Sequence, residues 1–177
     1  MNKAAKYGWL LPVIFWGDLS QVQAANSLDV EFSGELVTTA CQVSADSLNQ
    51  KITLYNLRWQ SINETGVSDV TPFSIDIDKC SEVDLQKIIK LTWQSNDLVN
   101  IGSDTFLTTK GESGVLLGLV DNNNTPLIWN QPMTIGDVNV VEGLQQFDFG
   151  VFVRKPATGD ANTGDFSGIV TFNVEYE

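Results

Sequence analysis

The chain has 177 residues, room for one domain, and its 42% hydrophobic and 18% charged residues describe a globular composition without a low-complexity tract. Ten Lys and Arg against 22 Asp and Glu leave a net charge of −12, the wrong sign for a surface that neutralises phosphates, so no nucleic acid partner is expected. Histidine is absent, which removes the commonest general base, the Ser-His and Cys-His nucleophile pairs and the commonest metal ligand.

At the N-terminus Lys3 and Lys6 precede an apolar run from Tyr7 to Gly17, and Val22-Gln23-Ala24 puts small residues where a signal peptidase reads. Eleven apolar residues rise only about 16 Å as a helix, short of a hydrocarbon core of ~30 Å. Residues 1–24 are therefore expected to be a signal peptide cleaved after Ala24. The 153 residues that remain carry 8 basic and 21 acidic side chains, and no transmembrane segment is expected in this mature chain. Export places Cys41 and Cys80 where disulfides persist, and one bridge between them is the default expectation. Closing a loop of that length contributes ~3–4 kcal/mol by chain entropy. Two cysteines with neither histidine nor a C-x-x-C spacing are a poor metal or redox site.

The first strand signal of the mature chain is Leu28, Val30, Phe32 and Leu36 on alternate positions, with Gly34 in the same row. Asp29, Glu31, Ser33 and Glu35 take the other face. Read from pattern alone, this is equally an ordinary first strand of the chain's own sheet. Phe73, Ile75 and Ile77 then alternate with Ser74, Asp76 and Asp78 ahead of Cys80, and Ile89, Leu91 and Trp93 alternate with Lys90, Thr92 and Gln94. Between these strands, Glu82 to Lys87 is the one stretch that suits a helical turn. Val115 to Val120 is a continuous apolar run; Phe147, Phe149, Val151 and Val153 alternate again. Turn clusters, Asp121 to Pro126 and Ala157 to Asn162, separate the runs. The last row is Phe166, Gly168, Val170, Phe172, Val174 and Tyr176, unbroken to the penultimate residue. Short strands with turns about every ten residues predict an all-β sandwich.

Other residue types point to bland roles. Trp93 is expected in the core, whereas Trp59 and Trp129 are open to a sugar-stacking role. Asp76 and Asp78 share one strand face expected to be solvated, and Asp121 begins a turn. No catalytic residue, metal ligand set or cofactor motif is present. The Asn63-Glu64-Thr65 and Asn123-Asn124-Thr125 sequons are read as chance matches.

Taken in order, the leader, the extension ending in Phe32-Ser33-Gly34-Glu35-Leu36-Val37, Cys41-Gln42-Val43, the strand closing on Cys80, and a terminal strand with Tyr176 penultimate resemble the pilus subunits of the chaperone-usher pathway. Gly164, fourteenth from the end, falls where such subunits usually carry glycine. The resemblance covers nearly the whole mature chain and identifies it as similar to the type 1 and P fimbrial pilins.

The resemblance implies an incomplete immunoglobulin-like sandwich, lacking its last strand and completed by a donated strand. It implies domains of 1–24 (signal peptide), 25–40 (donor extension) and 41–177 (pilin domain), with export through the periplasm to the cell surface. Leu28, Val30, Phe32, Gly34 and Leu36 form the donor strand on this reading. The acceptor groove and chaperone-binding strand comprise Gly164, Phe166, Gly168, Val170, Phe172, Val174, Tyr176 and Glu177. The implied partners are a periplasmic pilus chaperone, an outer-membrane usher and neighbouring pilus subunits; no cofactor or enzyme activity is implied. Burying the four large donor side chains is worth at most about 6–12 kcal/mol before ordering costs. Sixteen residues before Cys41 is compact for the family and similar to minor or adaptor subunits; a major rod pilin and, more remotely, a carbohydrate-binding adhesin are the alternatives.

Overall fold

A computed structural model describes residues 27–30 and 41–177; the expected leader and the extension residues Phe32, Gly34 and Leu36 lie outside them. In chain order the strands are β1 (Ser27–Val30), β2 (Gln42–Val43), β3 (Lys51–Thr53), β4 (Thr71–Asp78), β5 (Ile88–Gln94) and β6 (Leu98–Ile101). They continue as β7 (Asp104–Thr108), β8 (Lys110–Gly111), β9 (Leu116–Asp121), β10 (Met133–Asp137), β11 (Gln145–Arg154) and β12 (Phe166–Tyr176). Among the described residues the α-helices are α1 (Ala45–Leu48) and α2 (Trp59–Thr65).

The strands form two sheets, one in the order β10-β5-β12-β1-β3 with β8 also on β12, the other in the order β2-β4-β11-β9-β7-β6. Alternation along each strand puts one row of side chains between the sheets. Phe73, Ile75 and Ile77 of β4 and Phe149, Val151 and Val153 of β11 are buried, facing Leu91 and Trp93 of β5 and Phe166, Val170 and Phe172 of β12. Trp93 sits at the centre of this core, its ring 6.0 Å from Phe73, 5.3 Å from Phe149 and 5.5 Å from Phe172, each edge-on. The run at Val115 to Val120 is buried throughout and supplies β9 from Leu116 onward.

The expected turn at Glu82 to Lys87 is realised as a 3-10 helix over Glu82–Asp84, capped reciprocally by Ser81 and Asp84. Helix α2 carries no apolar period, and only Ile62 of it is buried. It stops at Gly66, whose left-handed φ of 89° lets its N–H donate to the Ile62 carbonyl.

Cys41 and Cys80 are bonded. The bridge ties the start of β2 to the end of β4, where Gln42 pairs with Asp78. It marks one end of the sandwich, the end at which β12 finishes with Tyr176. The opposite end is marked by α2 and the start of β12 at Phe166.

Candidate functional site

The terminal strand has two different edges. Along one, β5 pairs with Thr171 to Tyr176 and β8 with Phe166 and Ser167. Along the other, β1 pairs with Ser167 to Val170 in parallel, with Leu28 opposite Gly168 and Val30 opposite Val170. On its far side β1 pairs antiparallel with β3, Leu28 opposite Ile52. The N-terminal segment thus lies as a strand in a groove whose walls are β12 and β3. Among the described residues, no strand pairs with this edge of β12 over Thr171 to Tyr176.

The groove floor comes from the alternation of the last row. Phe166, Gly168, Val170 and Phe172 are buried, Val174 and Tyr176 are half-buried, and Glu177 is exposed. The second wall, with buried Ile52 and Leu54, is a site element that the sequence reading passed over. Its signal was present, since Ile52 and Leu54 alternate with Lys51 and Thr53.

At the Phe166 end of β12 lies a cavity of about 290 Å³ between Leu57, Trp59, Ile62, Val153 and Phe166. Asn63 of α2 holds its rim: the Asn63 amide nitrogen donates to the Ala161 carbonyl (3.0 Å) and the Ala161 N–H donates to the Asn63 side-chain oxygen (2.8 Å). Both sides of this sequon's amide are therefore engaged with backbone. Gly164 has φ of 146°, and a Cβ there would lie 2.9 Å from the Cβ of Glu112, so the close approach of the 161–165 loop to the 112–113 segment requires glycine.

At the other end Ile88 and Glu177 exchange backbone hydrogen bonds of 2.7 and 2.9 Å, and Lys90 Nζ lies 2.5 Å from Glu177 Oε2. Buried Asp84 accepts from Lys87 Nζ (2.7 Å) and from the Ser81 hydroxyl and N–H, which hold its carboxyl down at about 2. Burial, with Asp84 and Asp78 nearby, pushes the Tyr176 phenol up to about 12. Asp76 and Asp78 are half-buried rather than fully solvated, and burial together with Asp148 raises the Asp76 carboxyl. Trp129 is buried, its indole N–H donating to the Thr105 carbonyl at 3.1 Å, so its ring is not presented to a sugar; Trp59 remains partly exposed. Among the described residues, no group of three His, Cys, Asp or Glu side chains is placed to hold a metal ion. What this arrangement offers is backbone hydrogen bonding and apolar contact along a strand-wide slot.

A family model described as fimbrial protein matches residues 30–177. The chain belongs to the fimbrial protein family. The fimbrial subunit is 30% identical over 156 residues to the type-1 fimbrial protein A chain of Salmonella typhi, covering 84% of this chain and 82% of that protein. It is 26% identical over 154 residues to the PRS fimbrial major pilin protein of Escherichia coli, covering 84% and 93%. The fold matches the crystal structure of the P pilus rod subunit PapA with a TM-score of 0.62 at 19% identity, over 78% of this chain and all of that one. A subunit in a chaperone-usher pilus structure concerned with rod uncoiling matches with a TM-score of 0.65 at 22% identity, over 94% and 100%. The sandwich is thus the immunoglobulin-like pilin fold, and the protein is a structural subunit of a fimbria at the cell surface, not an enzyme.

Proposed function

We propose that the groove between β12 and β3 is a strand acceptor and that residues 25–40 are the donor for the next subunit, so that the fibre assembles by strand exchange. The observation that carries this reading is β1 itself, a segment of the extension hydrogen-bonded to both groove walls. Its direction has a physical cause. The extension is rooted at Cys41, at the Tyr176 end, so within its own chain it can enter the groove only running toward that end, parallel to β12. A donor rooted in a neighbour at the Phe166 end would run antiparallel, the slightly more stable ladder per residue, and could extend along all eleven residues of β12 instead of four. The intramolecular strand is then a short placeholder that a longer donated strand displaces.

On this reading a periplasmic chaperone supplies the strand before assembly, an outer-membrane usher exchanges it, and residues 1–24 are the leader that brings the chain there. Within the fibre we read a repeating subunit, supported by relatives named as major fimbrial proteins that span 84% or more of this chain. The compact sixteen-residue extension supports a second reading, an adaptor near the tip of an adhesive fibre.

The test uses the purified full chain and a synthetic peptide of residues 25–40. Uptake of the peptide, with loss of uptake for the peptide carrying Phe32→Asp or Gly34→Leu and for a chain carrying Val170→Asp, is the expected result. In the full chain, Phe32→Asp should stop fibre growth while chaperone binding persists. Equal uptake of all peptides, or chaperone binding lost with Phe32→Asp, refutes the assignment of the two ends.

A further inference from the structure

Both ends of the sandwich carry exposed apolar side chains. At the disulfide end Val83 is 73% and Leu144 58% exposed, beside the partly exposed Leu85. The 80–87 segment and the 138–144 loop that carry them are joined by backbone hydrogen bonds from the Glu142 N–H to the Cys80 carbonyl and from the Gln86 N–H to the Val138 carbonyl. At the opposite end Tyr55, just past β3, is 75% exposed and Trp59, which lines the cavity there, is 42% exposed. These side chains are exposed at the two ends of the sandwich, and apolar exposure gathered at one end of a body marks a contact surface.

The position of the extension says what covers them. If residues 28–36 fill a neighbour's groove antiparallel to β12, Leu36 reaches the Phe166 end, and only residues 37–40 separate it from Cys41. Five Cα steps span at most about 18 Å. The disulfide end of the donor must therefore lie against the Phe166 end of the acceptor, which brings the Val83 and Leu144 patch of one body onto the Tyr55 and Trp59 patch of the other.

We propose that this contact joins two copies of this chain, Leu144 and Val83 of each copy packing on Tyr55 and Trp59 of the next; the proposal rests on the strand-exchange reading above. Both halves of the junction are present on one chain and at opposite ends, so the contact is heterologous and does not close, the geometry of an open filament. The groove fixes which strand is accepted, and the two patches fix which body follows.

The experiment compares the wild-type chain with Leu144→Asp, Tyr55→Lys and the double variant. Self-assembly is followed by light scattering and electron microscopy, and uptake of the 25–40 peptide is measured in parallel. Both substituted side chains are exposed and neither belongs to β12 or β3, so peptide uptake by all three variants is expected to match wild type. Each single variant should lengthen filaments at least tenfold more slowly, and the double variant, which places opposite charges across every junction, should recover most of the rate. Wild-type assembly rates in both single variants overturn the patch contact and leave the groove reading intact. Peptide uptake without any wild-type self-assembly overturns the second copy as the partner. Failure of wild type to take up the peptide defeats the strand-exchange reading itself.

Discussion

Two buried tryptophans offer a controlled comparison of what a buried N–H contributes. Trp93 is fully buried and its indole N–H has no hydrogen-bond partner among the described residues, whereas Trp129 donates to the Thr105 carbonyl at 3.1 Å. Replacing either by phenylalanine removes roughly 40 Å³ of side chain, which at about 24 cal/mol per Å³ of residual cavity costs about 1 kcal/mol. At Trp93 the same change also removes a buried unsatisfied donor, relieving about 1–2 kcal/mol, so Trp93→Phe is expected within about 1 kcal/mol of wild type. At Trp129 it deletes a made hydrogen bond, and the total cost rises to about 2 kcal/mol. Trp93→Ala, which empties the aromatic cluster, should cost about 4 kcal/mol or more. Urea unfolding of the disulfide-intact protein, followed by far-UV circular dichroism, reads these values; the gap between the two Phe variants corresponds to about 4–8 °C in Tm. A Trp93→Phe loss equal to that of Trp129→Phe would refute the reasoning, because it would mean that the Trp93 N–H is satisfied.

Three further outcomes follow from the site. Asp84 has its folded pKa lowered to about 2 from 3.8, so its contribution is fully present above pH ~4 and lost as pH falls toward 2. Asp84→Asn should flatten the Tm against pH curve in that window and leave its shape above pH 5 unchanged; an unaltered acid limb counts against it. The Cys41–Cys80 bridge closes a separation of 39 residues, and replacing both cysteines by alanine should lower unfolding free energy by ~4 kcal/mol, with a loss below about 1 kcal/mol arguing that the unfolded chain is not constrained by it. Asn63→Ala strands both backbone groups of Ala161, which should cost about 2 kcal/mol and weaken uptake of the 25–40 peptide; undiminished uptake would show that this rim does not shape the groove.

The sandwich was legible wherever one face of a strand is buried. The rows at Phe73, Ile89, Phe147 and Phe166 all carry their period into the structure, and the cysteine count was enough for the bridge. Helix α2 was not legible, because one buried side chain in seven residues leaves no period to detect. The depth of Trp129 was hidden too, since it depends on an isolated backbone bridge beside Trp93 of β5 rather than on any alternation. Asp76 and Asp78 looked solvated because period alone assigns a face; it does not reveal what else crowds that face, here Asp148 for Asp76. Least legible was the direction of β1. The row from Leu28 to Leu36 is the same read forward or backward, and only the position of Cys41 in the folded chain decides which way it runs.

The disulfide also has a mechanical consequence. In a fibre held by donated strands, tension leaves each subunit through the backbone at Cys41 and meets a covalent link to Cys80, at the end of the eight-residue strand β4. The load passes directly into a strand held between β2 and β11 and paired over seven positions with β11. The two-residue β2, both α-helices and β3 all lie inside the loop that the bridge closes, and so are relieved of pull from that side. These short elements are thereby kept out of the line of force, and the wall of the groove keeps its shape while the fibre is stretched.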